Sequence, residues 1–125
     1  MRLVLDVPEN VANASRRHWS VLHRAKKAYY AAQDGRALVG LIPPPPSPPM
    51  ASVRVLAHFR LWNEMDDDNL KARMKWPQDY LKTRGYIAND NPKVVRELVV
   101  TQEIDRKNQR LEITIEEVDG TSSAP

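Results

Sequence analysis

The chain contains no cysteine, one phenylalanine and four glycines among 125 residues. Without cysteine there is no disulfide scaffold, no thiolate zinc site and no cysteine nucleophile. The four glycines (Gly35, Gly40, Gly85 and Gly120) are scattered, so no glycine-rich phosphate loop exists. No apolar run approaches the length of a membrane span. Met1-Arg2 is followed by only Leu3-Val4-Leu5 before Asp6, too short for a signal-peptide core, which makes the cytoplasm the expected compartment. His18 and His23 are five apart on a predicted helix, the wrong spacing for a shared metal face.

What is present is charge, unevenly spread. Residues 1–60 hold nine Lys/Arg and three Asp/Glu, a balance of +6, whereas residues 61–125 hold ten and thirteen, a balance of −3. A basic front half points to an anionic partner and leaves the acidic half to be explained.

The hydropathy pattern gives the elements. Leu3, Leu5 and Val7 alternate in a short strand closed by Pro8. Ser15 is a candidate N-cap for a helix whose apolar stripe is Trp19, Leu22, Ala25, Tyr29 and Ala32, with Asp34-Gly35 as its stop. Its other faces carry Arg16, Arg17, His18, His23, Arg24, Lys26 and Lys27. Pro43–Pro49, six prolines and a serine, excludes helix and central strand and reads as a stiff connector. Val53, Val55, Ala57, Phe59 and Leu61 alternate cleanly in a second strand, with Arg54, His58 and Arg60 making a basic patch on its other face. Asn69 opens a second helix on Leu70, Met74, Pro77 and Leu81, with a kink or restart expected near Lys75-Trp76 and a stop at Gly85. Two strands follow, Val94 to Gln102 and Arg110 to Val118, and a short link between them suggests an antiparallel hairpin. The expected fold is α/β (α+β): one mixed sheet of about four strands with two helices, in the order β-α-β-α-β-β. Residues 1–119 form a single domain containing the 43–49 connector, and residues 120–125 are a tail with nothing to bury.

The chemistry concentrates in Glu64-Met65-Asp66-Asp67-Asp68-Asn69. Continuing the strand period puts Asp66 and Asp68 on one side, about 7 Å apart, a spacing that can share a hard cation. Asp90, in the turn after the helix, could return to the same sheet end and complete an oxygen set suited to Mg²⁺ or Mn²⁺. The competing reading is a solvated helix cap, since carboxylates before a helix are favoured by its dipole.

Asp66-Asp67-Asp68-Asn69-Leu70, then Asp79-Tyr80-Leu81, Gly85-Tyr86-Ile87 and Asn89-Asp90, resemble the RusA family of Holliday-junction resolvases, particularly its phage-type members. Arg16-Arg17-His18-Trp19 and Leu111-Glu112-Ile113-Thr114-Ile115 extend the resemblance over most of residues 3–118. It implies a homodimeric, Mg²⁺-dependent endonuclease, with Mn²⁺ a possible substitute, that nicks four-way DNA junctions symmetrically in recombination and repair. On that resemblance the metal aspartates are Asp66, Asp68 and Asp90, and Asn69 is the motif asparagine. The family commonly places a lysine three residues after the asparagine; Ala72 stands there, so Lys75, counted back from Asp79, or Lys71 takes the role. Arg16, Arg17, Arg24 and Lys27 would contact the DNA backbone together with Asn69. Two other readings stand beside it: a non-cleaving junction-binding homodimer of the same fold, and an adaptor that recruits a protein through the proline run.

Overall fold

The computed structural model describes residues 1–8 and 19–118. The elements are β1 (Arg2–Leu5), α1 (Trp19–Leu38), β2 (Val53–Leu61), α2 (Asp67–Ala72), α3 (Lys75–Thr83), β3 (Val95–Ile104) and β4 (Arg110–Glu117). The four strands form one mixed sheet in the order β1-β4-β2-β3. The mixed sheet and the element order agree with the sequence-based expectation. The second predicted helix is two short segments, restarting at Lys75 as the proline requires. Pro77 sits in the first turn of α3, where a missing N–H costs no helical hydrogen bond.

The sheet departs from expectation in its last two strands. β3 and β4 are not a hairpin: β2 lies between them, parallel to β3 and antiparallel to β4. The reason is burial. β2 alternates buried and half-buried residues over its whole length, with Val53, Val55, Ala57, Phe59 and Leu61 in the core, and a strand so apolar is best placed in the sheet interior. The link 105–109 crosses the end of β2, and Asp105 N–H donates to Leu61 O at 2.8 Å. Asp105 also accepts from the Lys107 and Asn108 N–H groups, each at 3.1 Å. Leu3 and Leu5 of β1 and Leu111, Ile113 and Ile115 of β4 complete the inner face. Against it pack Leu70, Met74, Tyr80 and Leu81, with Ile42, Met50, Tyr86 and Ile87 from the connecting segments.

Helix α1 runs past its predicted stop. Gly35 lies inside it, and Gly40, at φ +80°, ends it through Leu41 N–H to Arg36 O (2.9 Å) and Gly40 N–H to Ala37 O (3.1 Å). Of the predicted stripe only Tyr29 is buried, joined by Gln33, which was not predicted; Leu22 and Ala25 are half-buried, Trp19 is 71% exposed and Ala32 is exposed. The helix docks by polar contacts on one end of its length, so apolar periodicity finds only part of its inner face. Ser15, Arg16, Arg17 and the 120–125 tail lie outside the described residues. The Pro43–Pro49 segment has neither helix nor strand; it is anchored by the Tyr86 hydroxyl on Pro43 O at its start and by a Met50–Ile87 bridge just beyond its end. Among the described residues no helix is long and apolar enough to cross a membrane.

The expected basic patch on the outer sheet face is neutralised. Arg54 pairs with Glu97 and Glu116, Arg60 with Glu103, Asp105 and Glu112, and His58 Nε2 lies 2.8 Å from Glu103 Oε1. Arg2 and Arg110 add to the same Glu112. The front-half cations of the sheet therefore face back-half carboxylates across the strands.

The two glycines that differ in backbone state give opposite expectations. Gly85 (φ +84°) ends α3, with Tyr86 N–H on Leu81 O at 2.9 Å, so Gly85→Ala should lose about 1–2 kcal/mol. Gly35 is helical with nothing within 4 Å of an added Cβ, so Gly35→Ala should gain up to about 1 kcal/mol. Urea titration of both variants checks the pair.

Candidate metal and nucleic-acid site

The acidic motif begins where β2 has already ended. Residues 62–65 are irregular, so the strand period does not carry through to Asp66. Asp66 is extended (φ −71°, ψ 162°) and its Oδ1 accepts from Asn69 N–H at 2.9 Å, the N-cap of α2. Asp67 and Asp68 occupy the first turn, exposed, where the helix dipole favours negative charge. Gln102 of β3 fixes the approach: its Oε1 accepts from Met65 N–H at 2.9 Å and its Nε2 donates to Met65 O at 2.7 Å. Lys71 is exposed on α2.

Asp90 is reached through the crossover. The Gly85–Ile87 segment runs beside Met50, and Asn91 Oδ1 then accepts from the Lys93 and Val94 N–H groups, turning the chain into β3. Val94 O accepts from Val53 N–H at 2.7 Å, at the beginning of β2. Asp66 and Asp90 are thus anchored at opposite ends of β2. Met65 is clamped beside the Phe59–Gln102 pair, and Asp90 precedes the Val53–Val95 pair. Six residues of strand separate those anchors, about 20 Å. A parallel crossover always returns to the end where the first strand started, so the expected return of Asp90 to the Asp66 end does not occur within one chain. Among the described residues no group of three or more His, Cys, Asp or Glu is placed to hold a metal ion.

What the fold does bring together is a cleft between α1 and α3. Lys26, Lys75, Trp76, Gln78, Asp79 and Asp90 line a space of about 370 Å³. Lys75, a candidate lysine, and Asp90 thereby line one cleft. Asp79 and Lys26 joined them without being assigned a role in the sequence. Asp79 accepts from the Tyr30 hydroxyl and lies 3.4 Å from Lys26 Nζ and 3.5 Å from Lys82 Nζ. The Tyr30 hydrogen bond, reinforced by Lys26, holds the Asp79 carboxyl below the usual carboxylate range. Burial and Asp79 together push the Tyr30 hydroxyl upward, so it stays protonated and donates. The Tyr30 ring lies between two cations, Lys26 Nζ and Arg84 Cζ, each 5.5 Å from its centroid.

The rest of α1 is held in the same manner. Arg84 donates to both oxygens of Asp34 (2.8 and 2.9 Å) and the Tyr80 hydroxyl donates to Oδ1 at 2.8 Å. Buried Gln33 accepts from Asp6 N–H and donates to Asp6 Oδ2, each at 3.0 Å, and the Tyr29 hydroxyl donates to Asp6 O at 2.9 Å. The DNA-contact candidates Arg24 and Lys27 are exposed on this helix, and Arg16 and Arg17 lie outside the described residues.

One further cation escaped the sequence reading. Arg73, at the joint of α2 and α3, has a buried Nε without a hydrogen-bond partner and no ion pair among the described residues. Burial lowers its guanidinium from the usual range. Nothing in its spacing sets it apart from the lysines around it.

The carboxylates sort sharply. Asp6, Asp34, Asp79, Glu97, Glu103, Asp105, Glu112 and Glu116 all have cationic partners. Among the described residues Glu64, Asp66, Asp67, Asp68, Asp90 and Glu117 have none. Four of those six lie in the 64–69 motif. The chain matches no protein-family model and no curated protein.

The pairings of Asp34 and Asp79 predict an acid limb. Arg84 holds Asp34, and Tyr30 holds Asp79, below the value of about 4 that each has unfolded. Their stabilisation is complete above pH 4 and is lost as pH falls through the folded-state values. Asp34→Asn should lower the unfolding temperature at pH 7 and flatten its decline below pH 4. Thermal unfolding from pH 7 to pH 2 reads both changes.

Proposed function

We propose that this chain is a metal-dependent, structure-selective endonuclease of the RusA kind, cutting four-way DNA junctions by paired nicks as a homodimer in the cytoplasm. The observation that supports it is the sorting of charge. The three aspartates named by the resemblance, Asp66, Asp68 and Asp90, are among the six carboxylates without a cationic partner among the described residues. A protein that maintains eight paired carboxylates elsewhere keeps these three free to take a cation from solution.

The residues that would carry Mg²⁺ are these three, and the oxygen-only donor set suits it. They do not close around a cation within one chain, so the chain's own contribution is the part that follows from its geometry. Lys75 and Lys26 converge on one cleft beside Asp90, where they can neutralise a phosphate. Arg73 is a cation without an ion-pair partner among the described residues. Arg24 and Lys27, three residues apart on α1, present positive charge away from the body. The unpaired aspartates repel a phosphate until a divalent cation reverses the local charge, which makes tight binding near the motif conditional on metal.

The wild-type protein should nick a synthetic four-way junction with Mg²⁺ and spare linear duplex. Asp68→Asn should bind the junction at least as well and fail to cut. Replacing both Arg24 and Lys27 by Ala should lower the slope of log affinity against log salt by about 2. Junction binding without metal-dependent nicking would favour the non-cleaving homodimer instead, and no junction binding at low salt would contradict both.

A further inference from the structure

The end of β2 and the link between β3 and β4 together build a feature that the acidic motif does not use. Trp62, the first residue after β2, is 56% exposed. The Arg106 guanidinium lies over its ring, with Cζ 5.6 Å from the centroid, and Arg106 Nε donates to Trp62 O at 3.2 Å. The carbonyl thus holds the cation on one face of the ring. The link that carries Arg106 is itself fixed. Asp105 N–H donates to Leu61 O and Gln109 Nε2 donates to Asp105 O, each at 2.8 Å. The Asp105 carboxylate accepts from the Lys107 and Asn108 N–H groups and is neutralised by Arg60 and Arg110. It therefore does not cancel the charge of the two residues that follow it. Arg106 and Lys107 are exposed and have no ion-pair partner among the described residues. Four residues of chain separate Trp62 from Asp66, a span of at most about 14 Å.

We propose that Trp62, Arg106 and Lys107 form a stacking site for one unpaired base of DNA. The choice of DNA as occupant rests on the nuclease reading, whereas the union of an aromatic face with unpaired cations stands without it. The base stacks on the Trp62–Arg106 pair, and Arg106 and Lys107 take the phosphates on either side of it. Neither contact reads base identity, because every base has a ring face and every nucleotide a phosphate. In an intact duplex each base is already stacked on its neighbours, so the site gains contact only where a strand is open. Such a site beside the acidic motif favours branch points over linear duplex.

The probe is a short oligo(dT), compared at low salt and with Mg²⁺ present against an abasic strand of equal length that keeps the phosphates. Oligo(dT) should quench tryptophan emission and bind about 5- to 100-fold more tightly than the abasic strand. Trp62→Ala should abolish that preference, and Trp62→Phe, which keeps a ring for the base, should retain most of it. Arg106→Ala with Lys107→Ala should lower the slope of log affinity against log salt by about 1.4, at about 0.7 per phosphate on a single strand. Equal affinity for the two strands, an unchanged preference in Trp62→Ala, an unchanged salt slope in the double variant, or no binding of oligo(dT) overturns the proposal. If the preference and its loss are observed and the wild type nicks no junction, the stacking site stands and only the nuclease reading falls.

Discussion

The parallel pairing of β2 with β3 sets the arrangement of everything that follows it in the chain. Two parallel neighbours cannot be joined by a turn, so residues 62–94 must leave one end of β2 and travel back to the other. That return path is α2, the joint at Arg73-Met74, and α3, which cover the inner face of the sheet with Leu70, Met74, Tyr80 and Leu81. The path also decides where each acidic residue lies. Asp66 and Asp68 belong to the departure end, clamped through Met65 to Gln102, and Asp90 belongs to the arrival end, held by the turn around Asn91. The same pairing leaves the outer side of β3 as the longer open edge. One constraint thus divides the carboxylates and leaves the longer sheet edge without a strand neighbour among the described residues.

The charge imbalance between the halves of the sequence resolves into two populations. On the sheet, basic side chains of β1 and β2 meet acidic ones of β3 and β4, so Arg2, Arg54 and Arg60 are spent on Glu97, Glu103, Asp105, Glu112 and Glu116. These are largely exposed pairs and each adds little stability; they leave the outer face with balanced charge. Among the described residues, Arg24 and Lys27 on α1 have no such pairing. Helix α1 is docked by hydrogen bonds and cation–aromatic contacts around Asp6, Asp34 and Asp79 rather than by an apolar stripe, which leaves Arg24 and Lys27 facing solvent. The mild net charge of +3 hides this division between a neutral sheet face and the exposed, unpaired Arg24 and Lys27 of α1.

The strands were legible because their signal is local. The period of two in β2 and β4 and the short alternation of β1 mark residues that do bury, and Gly85 ends α3 through its backbone. The helix restart at Lys75 follows from Pro77 alone. Strand order was not legible, because a five-residue link serves either a hairpin or a hop across one neighbour, and the choice depends on which strand most needs the interior. The inner face of α1 was legible at Tyr29 and missed at Gln33, which buries by hydrogen bonding to Asp6, a partner 27 residues away that no periodicity records. In the site, the residue types of the motif were legible and their assembly was not. Strand parity paired Asp66 with Asp68 on a strand that stops at Leu61, and the cap on Asn69 N–H is the competing reading realised for Asp66. Asp79 and Lys26 entered the cleft through Tyr30, a contact between helices that the sequence separates by about fifty residues.

The account turns on whether the unpaired aspartates make DNA binding conditional on a divalent cation. Affinity for a four-way junction measured with Mg²⁺ and with a chelator decides this directly, because uncompensated carboxylates repel phosphate and a bound cation reverses the local charge. Tighter binding with Mg²⁺, and loss of that difference in Asp68→Asn, is the expected result. Equal affinity of the wild type with and without Mg²⁺ would contradict the account.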